Sequence, residues 1–272
     1  YGDHRDLHSF PTRRSSDLYA YLDSKEIPVR VHVHDRNLSI NKLVEDKEGV
    51  TNQNDTWHGI KSLKKNVDSV GAGPKYKHNV TWHVELEDKV EPMGTHANWA
   101  IKNCNGEESL LRSKLLNAVE HYKEIHTNCS DTSRFKTETG YELSRRPITS
   151  QKAEQLFRDA ITKSTLYKSA KDFVLGKSTS HVESFNNTMN MFHDKRIYYG
   201  DTEYEMRSKI AVLHWNENVG RSYTSVWRPA VTTNARTRRS KTRRTYKEST
   251  YKYRQRAWDS YIKTVYGTKA SQ

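Results

Sequence analysis

The stretch that most constrains the fold is residues 29–35, because apolar and polar residues alternate along it and it ends on an acid. Val29, Val31 and Val33 share one face, a pattern typical of a half-buried strand. Asp35 then lies at the carboxyl end of the strand, where open α/β sheets bind their ligands. The alternative is that Asp35 only begins a turn or caps the next helix.

That next helix is predicted to begin at Asn37 or Ser39, both of which are good N-caps, and to run to about Lys47. Three of its side chains are expected to face inward: Leu38, Leu43 and Val44. A strand followed at once by a helix indicates a mixed α/β fold.

Asp55 opens a second predicted helix, and it has two interpretations. As an N-cap, its carboxylate accepts hydrogen bonds from the first turn. As a site residue, it acts together with His58, which would otherwise be an ordinary packing or surface histidine. The inward side of this helix is expected to carry five residues: Trp57, Ile60, Leu63, Lys64 and Val67.

Residues 178–187 open a third predicted helix, which carries the acid Glu183. Glu183, Asn187 and Asn190 share its polar face, and an apolar stripe is formed by Val182, Phe185, Met189 and Phe192. Ser180-x-x-Glu183 also matches a capping box, in which the glutamate accepts from the Ser180 N–H. The order of the three motifs favours a chemical role for Glu183.

Taken in order, Asp35, Asp55-x-x-His58 and Glu183 within Ser-His-Val-Glu-Ser-Phe-Asn-Asn resemble the acidic-triad (DDE) transposases of the Mutator-like group. The resemblance spans about residues 19–265. It implies an RNase H-like sheet that carries two aspartates and a helix that carries the glutamate. It also implies paired Mg²⁺ or Mn²⁺ ions, which in such sites activate the attacking oxygen and stabilise the leaving one.

The resemblance maps Asp35 onto the second aspartate and Glu183 onto the glutamate, as catalytic residues and magnesium ligands. Residues implied to support these ligands or to contact DNA are Asp55, His58 and Asn187. The first aspartate of the family has no counterpart in this sequence. In the family it lies on the first strand of the sheet, before two more strands and a helix. Only four residues lie between the foreign segment and Asp23, which is too few for those elements, so Asp23 cannot be that aspartate. We therefore expect an N-terminally incomplete chain whose parent is complete.

The expected fold class is α/β: an incomplete RNase H-like fold lacking its first strands, with a large all-α insertion and a basic C-terminal tail. Residues 1–18 resemble a translated sequencing adapter and are expected to be foreign to the natural protein. The remaining divisions are a partial RNase H-like core at 19–79, a helical insertion at 80–177, core helices with the glutamate at 178–227, and the tail at 228–272.

The predicted insertion contains four zinc-type ligands, namely Cys104, His121, His126 and Cys129. Thiolate and imidazole ligands suit a closed tetrahedral Zn²⁺ site. The gap from Cys104 to His121 is long and no Cys-x-x-Cys pair is present, so the spacing does not identify a zinc site, and the alternative is that the four are ordinary buried or solvated side chains.

Charge is concentrated at one end of the sequence. Residues 228–272 hold thirteen lysines and arginines against two acids, which is +11 of the total net charge of +13. Such asymmetry indicates a polyanionic partner, most simply DNA. Six basic residues at 235–244 are the predicted phosphate contacts: Arg236, Arg238, Arg239, Lys241, Arg243 and Arg244.

The leading functional prediction is therefore DNA cleavage and strand transfer at transposon ends, with non-specific phosphate contacts as well. The alternative is a transposon-derived DNA-binding protein without catalysis. No apolar run approaches the ~18 residues of a membrane span and no signal peptide is visible, so a nuclear protein with no membrane partner is expected. Self-association into a homo-oligomer is left open.

Overall fold

The computed structural model describes residues 6–142, 145–194, 196–227 and 243–267. The fold is mixed α/β and mostly helical, with few and short strands. The chain divides into two compact units, residues 1–179 and residues 180–272.

The first unit contains eight of the helices found in the described ranges: α1 (Asp6–Ser24), α2 (Leu38–Glu45), α3 (Thr56–Gly71), α4 (Val90–Lys102), α5 (Glu108–Tyr122), α6 (Arg134–Thr137), α7 (Gln151–Thr162) and α8 (Thr165–Lys168). The second unit contains α9 (Ser180–Phe192), α10 (Asp201–Asn218) and α11 (Lys252–Tyr266). None of the helices in these ranges is long and apolar enough to cross a membrane.

Two short parallel strands lie at one side of the first unit. β1 (Val31–His34) pairs with β2 (Thr51–Asn54), with Val31 opposite Thr51 and His34 opposite Asn54. A parallel pair needs a crossover, and α2 lies between the two strands in the chain. Both strands therefore end at the same edge, which places the residues that follow them side by side.

Asn37 caps α2, because its side-chain oxygen accepts from the backbone N–H groups of Ser39 and Ile40. The helix buries Val44, but Leu38 is 66% exposed, so the prediction that Leu38 faces inward is wrong. The two residues are six positions apart, which is about 120° around a helix. The face that buries Val44 therefore leaves Leu38 in solvent.

The main core of the first unit is helical and is centred on α3. Buried Ile60, Leu63 and Val67 of α3 belong to one cluster with buried side chains of α4, α5, α7 and α8. Trp57 was expected on this inward side, but it is 57% exposed and lies beneath the ammonium group of Lys61.

The N-terminal helix α1 is anchored through Tyr19. This side chain is buried, and its hydroxyl lies 2.8 Å from His32 Nδ1 on β1. Leu18, the last residue of the segment expected to be foreign, is exposed.

In the second unit, α10 packs against α9 and α11, and a hairpin of β3 (Tyr223–Trp227) and β4 (Arg243–Tyr246) follows α10. The carboxylate of Glu217 accepts hydrogen bonds from the backbone N–H groups of Lys252 and Tyr253 at the start of α11. The amide of Asn218 bonds the backbone of Thr250 through both its oxygen and its nitrogen. The end of α10 thus fixes the beginning of α11.

Candidate functional site

The two parallel strands place two aspartates at one sheet edge. Asp35 directly follows β1 and Asp55 directly follows β2, and the Asp55 N–H donates to the carbonyl of His34 at 2.9 Å. This edge is formed by the carboxyl ends of the strands; the sequence predicts this position for Asp35, whereas β2 is not predicted from it.

Asp55 is almost fully buried at 3% exposure, and its carboxylate is saturated. Oδ1 accepts from the backbone N–H groups of Trp57 and His58, which confirms the N-cap prediction. Oδ2 accepts from the Thr179 N–H at 2.7 Å and from the Thr179 hydroxyl at 2.5 Å, with Ser178 Oγ 3.4 Å away. Asp55 thus joins the start of α3 to the segment that ends at Thr179.

These contacts determine the charge state of Asp55. Burial by itself would raise the pKa of the carboxyl, but the hydrogen bonds from Thr179, Trp57 and His58 outweigh it and lower the pKa. The group is therefore a buried, ionised acid whose lone pairs are used within the protein.

Asp35 is in the opposite situation, since its side chain is 58% exposed. The cap of α2 is Asn37 and not Asp35, so the alternative helix-capping role of Asp35 does not hold. Asp35 Oδ1 lies 3.1 Å from Thr179 Oγ1 and 3.8 Å from His58 Nε2. The Thr179 hydroxyl has one proton and lies closer to Asp55, so Asp35 keeps lone pairs free for a cation.

A partly buried polar layer that the sequence patterns do not predict lies next to this edge. The Asn52 amide nitrogen donates to Asn41 at 3.0 Å and to Asp172 at 3.3 Å, while its oxygen lies 3.0 Å from His34 Nε2. Burial raises the pKa of Asp172. Asn54 Oδ1 is buried without a partner among the described residues.

A signal for this layer was present in the sequence. β2 reads Thr-Asn-Gln-Asn, an entirely polar strand, and Gln53 and Asn54 are buried. A buried polar strand must find hydrogen-bond partners elsewhere, and Gln53 finds them in the Lys171 carbonyl and the Leu175 N–H.

Glu183 and Asn187 lie on α9 of the second unit, and both are exposed. Among the apolar stripe predicted on this helix, Val182 is 58% exposed, while the ring of Phe185 contacts that of Trp215 on α10. Asp35 and Glu183 belong to different compact units, and the pairing of these two acids stays a prediction.

Three of the four expected zinc ligands converge at the end of α5. The sulfur of Cys129 lies 3.5 Å from His121 Nδ1 and 3.6 Å from His126 Nδ1, and the three ligand atoms all lie within 4.8 Å of one another. Burial, helped by the nearby His126 and His96, lowers the pKa of His121 to about 4. The His121 imidazole is therefore neutral near pH 7, and neutral imidazole is the form that binds metals.

Cys104 does not belong to this group, so the four-ligand prediction is wrong on this residue. Its sulfur lies inside the helical core, 3.1 Å from the carbonyl oxygen of Ile101 and 3.4 Å from that of Val174. Cys104 closes the C-terminal end of α4, whereas Cys129 lies in the loop after α5, and local spacing could not distinguish a core thiol from a ligand.

Most of the predicted phosphate contacts lie outside the described residues: Arg236, Arg238, Arg239 and Lys241. The backbone of Arg243 begins β4. Arg244 is exposed, and its guanidinium lies 5.3 Å from the ring centroid of Tyr223 on the neighbouring strand.

Comparison with known proteins identifies no family for this chain. No protein-family model matches it, and no curated protein or solved structure matches it significantly.

Proposed function

We propose that this chain is part of a metal-dependent DNA-cleaving protein of the acidic-triad transposase type, built on an incomplete RNase H-like fold. The observation that carries the proposal is the exposure of the Asp35 carboxylate and the position it occupies in the sheet. It is an exposed carboxylate at the carboxyl edge of two parallel strands, with a histidine beside it and with its buried neighbour Asp55 fully engaged elsewhere.

The donor set at this edge suits a hard cation. The contacts of the Asp35 carboxylate with Thr179 and His58 are both made by Oδ1, which leaves Oδ2 without a partner among the described residues. Mg²⁺ prefers oxygen ligands and keeps several waters, so one or two carboxylates suffice for each ion. When bound, the metal would supply activation of the attacking oxygen and stabilisation of the leaving oxygen.

Each neighbouring residue has a distinct role in this proposal. Asp35 and Glu183 bind metal, as the family resemblance implies. Asp55 positions its neighbours: its N–H donates to the carbonyl of His34, the residue before Asp35, and its carboxylate binds Thr179. His58, at 3.8 Å from Asp35, orients that carboxylate or donates to a DNA phosphate, and Asn187 on the helix of Glu183 contacts DNA. The exposed carboxamide of Asn187 is a suitable donor to a phosphate oxygen.

DNA is the proposed partner, and the nucleus the proposed location, because of the charge distribution. The chain carries +13 at neutral pH, and most of this excess lies after residue 227. Lysines and arginines that neutralise phosphates release counterions, which favours binding to DNA of any sequence.

The second candidate is DNA binding without cleavage. It is favoured by one observation, since the resemblance assigns only two of the three acids to this sequence. Two carboxylates bind one metal ion, whereas the paired-ion mechanism needs ligands for two.

Cleavage of supercoiled DNA with Mg²⁺ or Mn²⁺ tests the proposal. We expect the 272-residue chain to bind DNA without cutting it, and a version extended by its upstream sequence to cut it. In the extended protein, Asp35→Asn and Glu183→Gln should each lower the cleavage rate by at least about 100-fold while DNA affinity is retained.

Asp68→Asn is the matched control, because Asp68 is an exposed acid on α3. This variant should cut at the wild-type rate. An extended protein that binds DNA but never cuts it would support the second candidate. Unimpaired cutting by Glu183→Gln would show that Glu183 is a capping residue instead.

A further inference from the structure

We propose that His121, His126 and Cys129 form a tetrahedral zinc site, independent of the proposed DNA chemistry, that fixes the loop after α5 to that helix. The three residues belong to the first unit, and the loop concerned spans residues 123–133.

The two sulfur–nitrogen distances match those that zinc imposes, and the three ligand atoms lie within 4.8 Å of one another. With Zn–S near 2.3 Å and Zn–N near 2.0–2.1 Å, a tetrahedral angle puts sulfur and nitrogen about 3.5–3.6 Å apart. The two Sγ–Nδ1 separations are 3.5 Å and 3.6 Å. One sulfur therefore lies at the correct distance from two imidazole nitrogens simultaneously.

Hydrogen bonds explain this convergence less well than a metal does. A thiol has one proton, so Cys129 can donate to only one of the two imidazole nitrogens, and the other contact requires an imidazole that carries its proton on Nδ1 and donates to the weakly accepting sulfur. The sulfur is buried, and thiols are weak hydrogen-bond partners. A zinc ion bound to the thiolate would accept a lone pair from both nitrogens at once.

The imidazoles are held in place by their neighbours. The ring of His126 stacks on Phe135 with centroids 3.7 Å apart, and the rings of His121 and His126 meet edge to face at 4.9 Å. These contacts orient both histidines toward the sulfur before any metal arrives, which lowers the entropic cost of binding.

An independent observation points to the fourth ligand. A cavity of about 350 Å³ borders the group and is lined by His121, Cys129, Asn117 and Ser133, among others. Asn117 Oδ1 and Ser133 Oγ are buried and have no hydrogen-bond partner among the described residues. Both oxygens can accept from a water, so we assign the fourth position to a water molecule that they hold.

The ligand chemistry identifies the metal. One thiolate and two imidazoles favour zinc, whereas Mg²⁺ prefers oxygen ligands. In the loop itself, Ile125 is 43% exposed, and Glu124 adopts a left-handed φ of 63°. Metal binding at Cys129 would tie this loop to His121 on α5.

Native mass spectrometry and cobalt substitution test the site on the whole chain. After chelation and addition of zinc, we expect one zinc per chain. After addition of Co²⁺, we expect a thiolate-to-cobalt charge-transfer band and the intense visible bands of a tetrahedral ion. Absence of both retained zinc and the charge-transfer band in the wild-type chain would overturn the proposal.

Three variants test the proposed thiolate ligand, a control thiol and the residue that holds the bound water. Cys129→Ser should abolish the charge-transfer band, and Cys104→Ala, the matched thiol control in the helical core, should keep it. Asn117→Ala should weaken zinc binding by about 10-fold while keeping the band, as expected for a residue that holds a bound water. Circular dichroism confirms that each variant is folded. A band that persists in Cys129→Ser, or disappears in folded Cys104→Ala, would contradict the assignment.

Discussion

Asp55 joins two distant parts of the chain through one carboxylate. Its Oδ1 caps α3, and its Oδ2 accepts from the N–H and the hydroxyl of Thr179. An asparagine could still cap the helix through its oxygen, but its NH₂ group would face the Thr179 N–H. The two functions of Asp55 can therefore be separated by one substitution.

We expect Asp55→Asn to lower the free energy of unfolding at pH 7 by about 1–3 kcal/mol, the cost of leaving a buried donor without an acceptor. Urea denaturation followed by circular dichroism measures this change. The control is Asp68→Asn on the exposed side of α3, which should change stability by less than about 0.5 kcal/mol. Equal effects of the two substitutions would show that the Thr179 contacts contribute nothing.

The pH dependence follows from the lowered pKa of Asp55. A group whose pKa is lower in the folded state stabilises the fold above its unfolded pKa of about 3.9 and loses this contribution as pH falls through the folded value. The stability difference between wild type and Asp55→Asn should therefore be constant from about pH 7 to 5 and should shrink below about pH 4. A difference that grows on acidification would contradict this role.

At the scale of elements, α3 is the helix on which the first unit is built, and its glycines mark where other elements approach it. A Cβ added to Gly59 would lie 2.6 Å from the ring of Phe173, which is 1% exposed. A Cβ added to Gly94 of α4 would instead meet Lys64 Cδ at 2.9 Å. Lys64 is a flexible side chain that pairs with Glu91 at the surface.

This contrast predicts opposite effects of the same substitution. Gly59→Ala should destabilise the protein by about 1–3 kcal/mol, because the packed Phe173 ring cannot move away. Gly94→Ala should be neutral or stabilising by up to about 1 kcal/mol, because alanine favours helix and Lys64 can move. Thermal unfolding of the two variants beside wild type measures both. A tolerated Gly59→Ala would mean that the segment containing Phe173 is loosely packed.

At the scale of the whole molecule, the basic end of the sequence is not a separable tail. It includes α11, whose Tyr253 is 2% exposed and whose first turn is held by Glu217 of α10. Deleting residues 228–272 would therefore remove packing as well as charge. A test of DNA binding must neutralise charge without removing the helix.

We expect that replacing all six basic residues of 235–244 by glutamine will weaken non-specific DNA binding. Each lost phosphate contact should flatten the slope of log K against log salt by about 0.9. Fluorescence anisotropy over a salt series measures both quantities. A variant that neutralises six exposed lysines of the first unit provides the charge-matched control: Lys65, Lys75, Lys77, Lys102, Lys152 and Lys168. If both variants lose affinity equally, binding depends on net charge and not on this segment.

The sequence alone determined the features that depend on neighbours along the chain. Alternation predicted a strand at 29–33, observed at Val31–His34, and put Asp35 at its carboxyl end. Capping chemistry predicted that Asn37 or Ser39 begins one helix and that Asp55 begins the next, and the observed caps are Asn37 and Asp55. Such patterns are readable because strand and helix periodicity and N-cap hydrogen bonds involve residues only a few positions apart.

Only the tertiary structure decided which residues meet across long separations. Thr179 reaches Asp55 from 124 positions away, and Asp172 reaches Asn52 from 120. The exposure of Leu38 and Trp57 and the separation of Cys104 from the zinc-type ligands were also decided there. The physical reason is that such contacts depend on how helices pack around α3, and packing selects partners by shape and burial rather than by their spacing in the sequence.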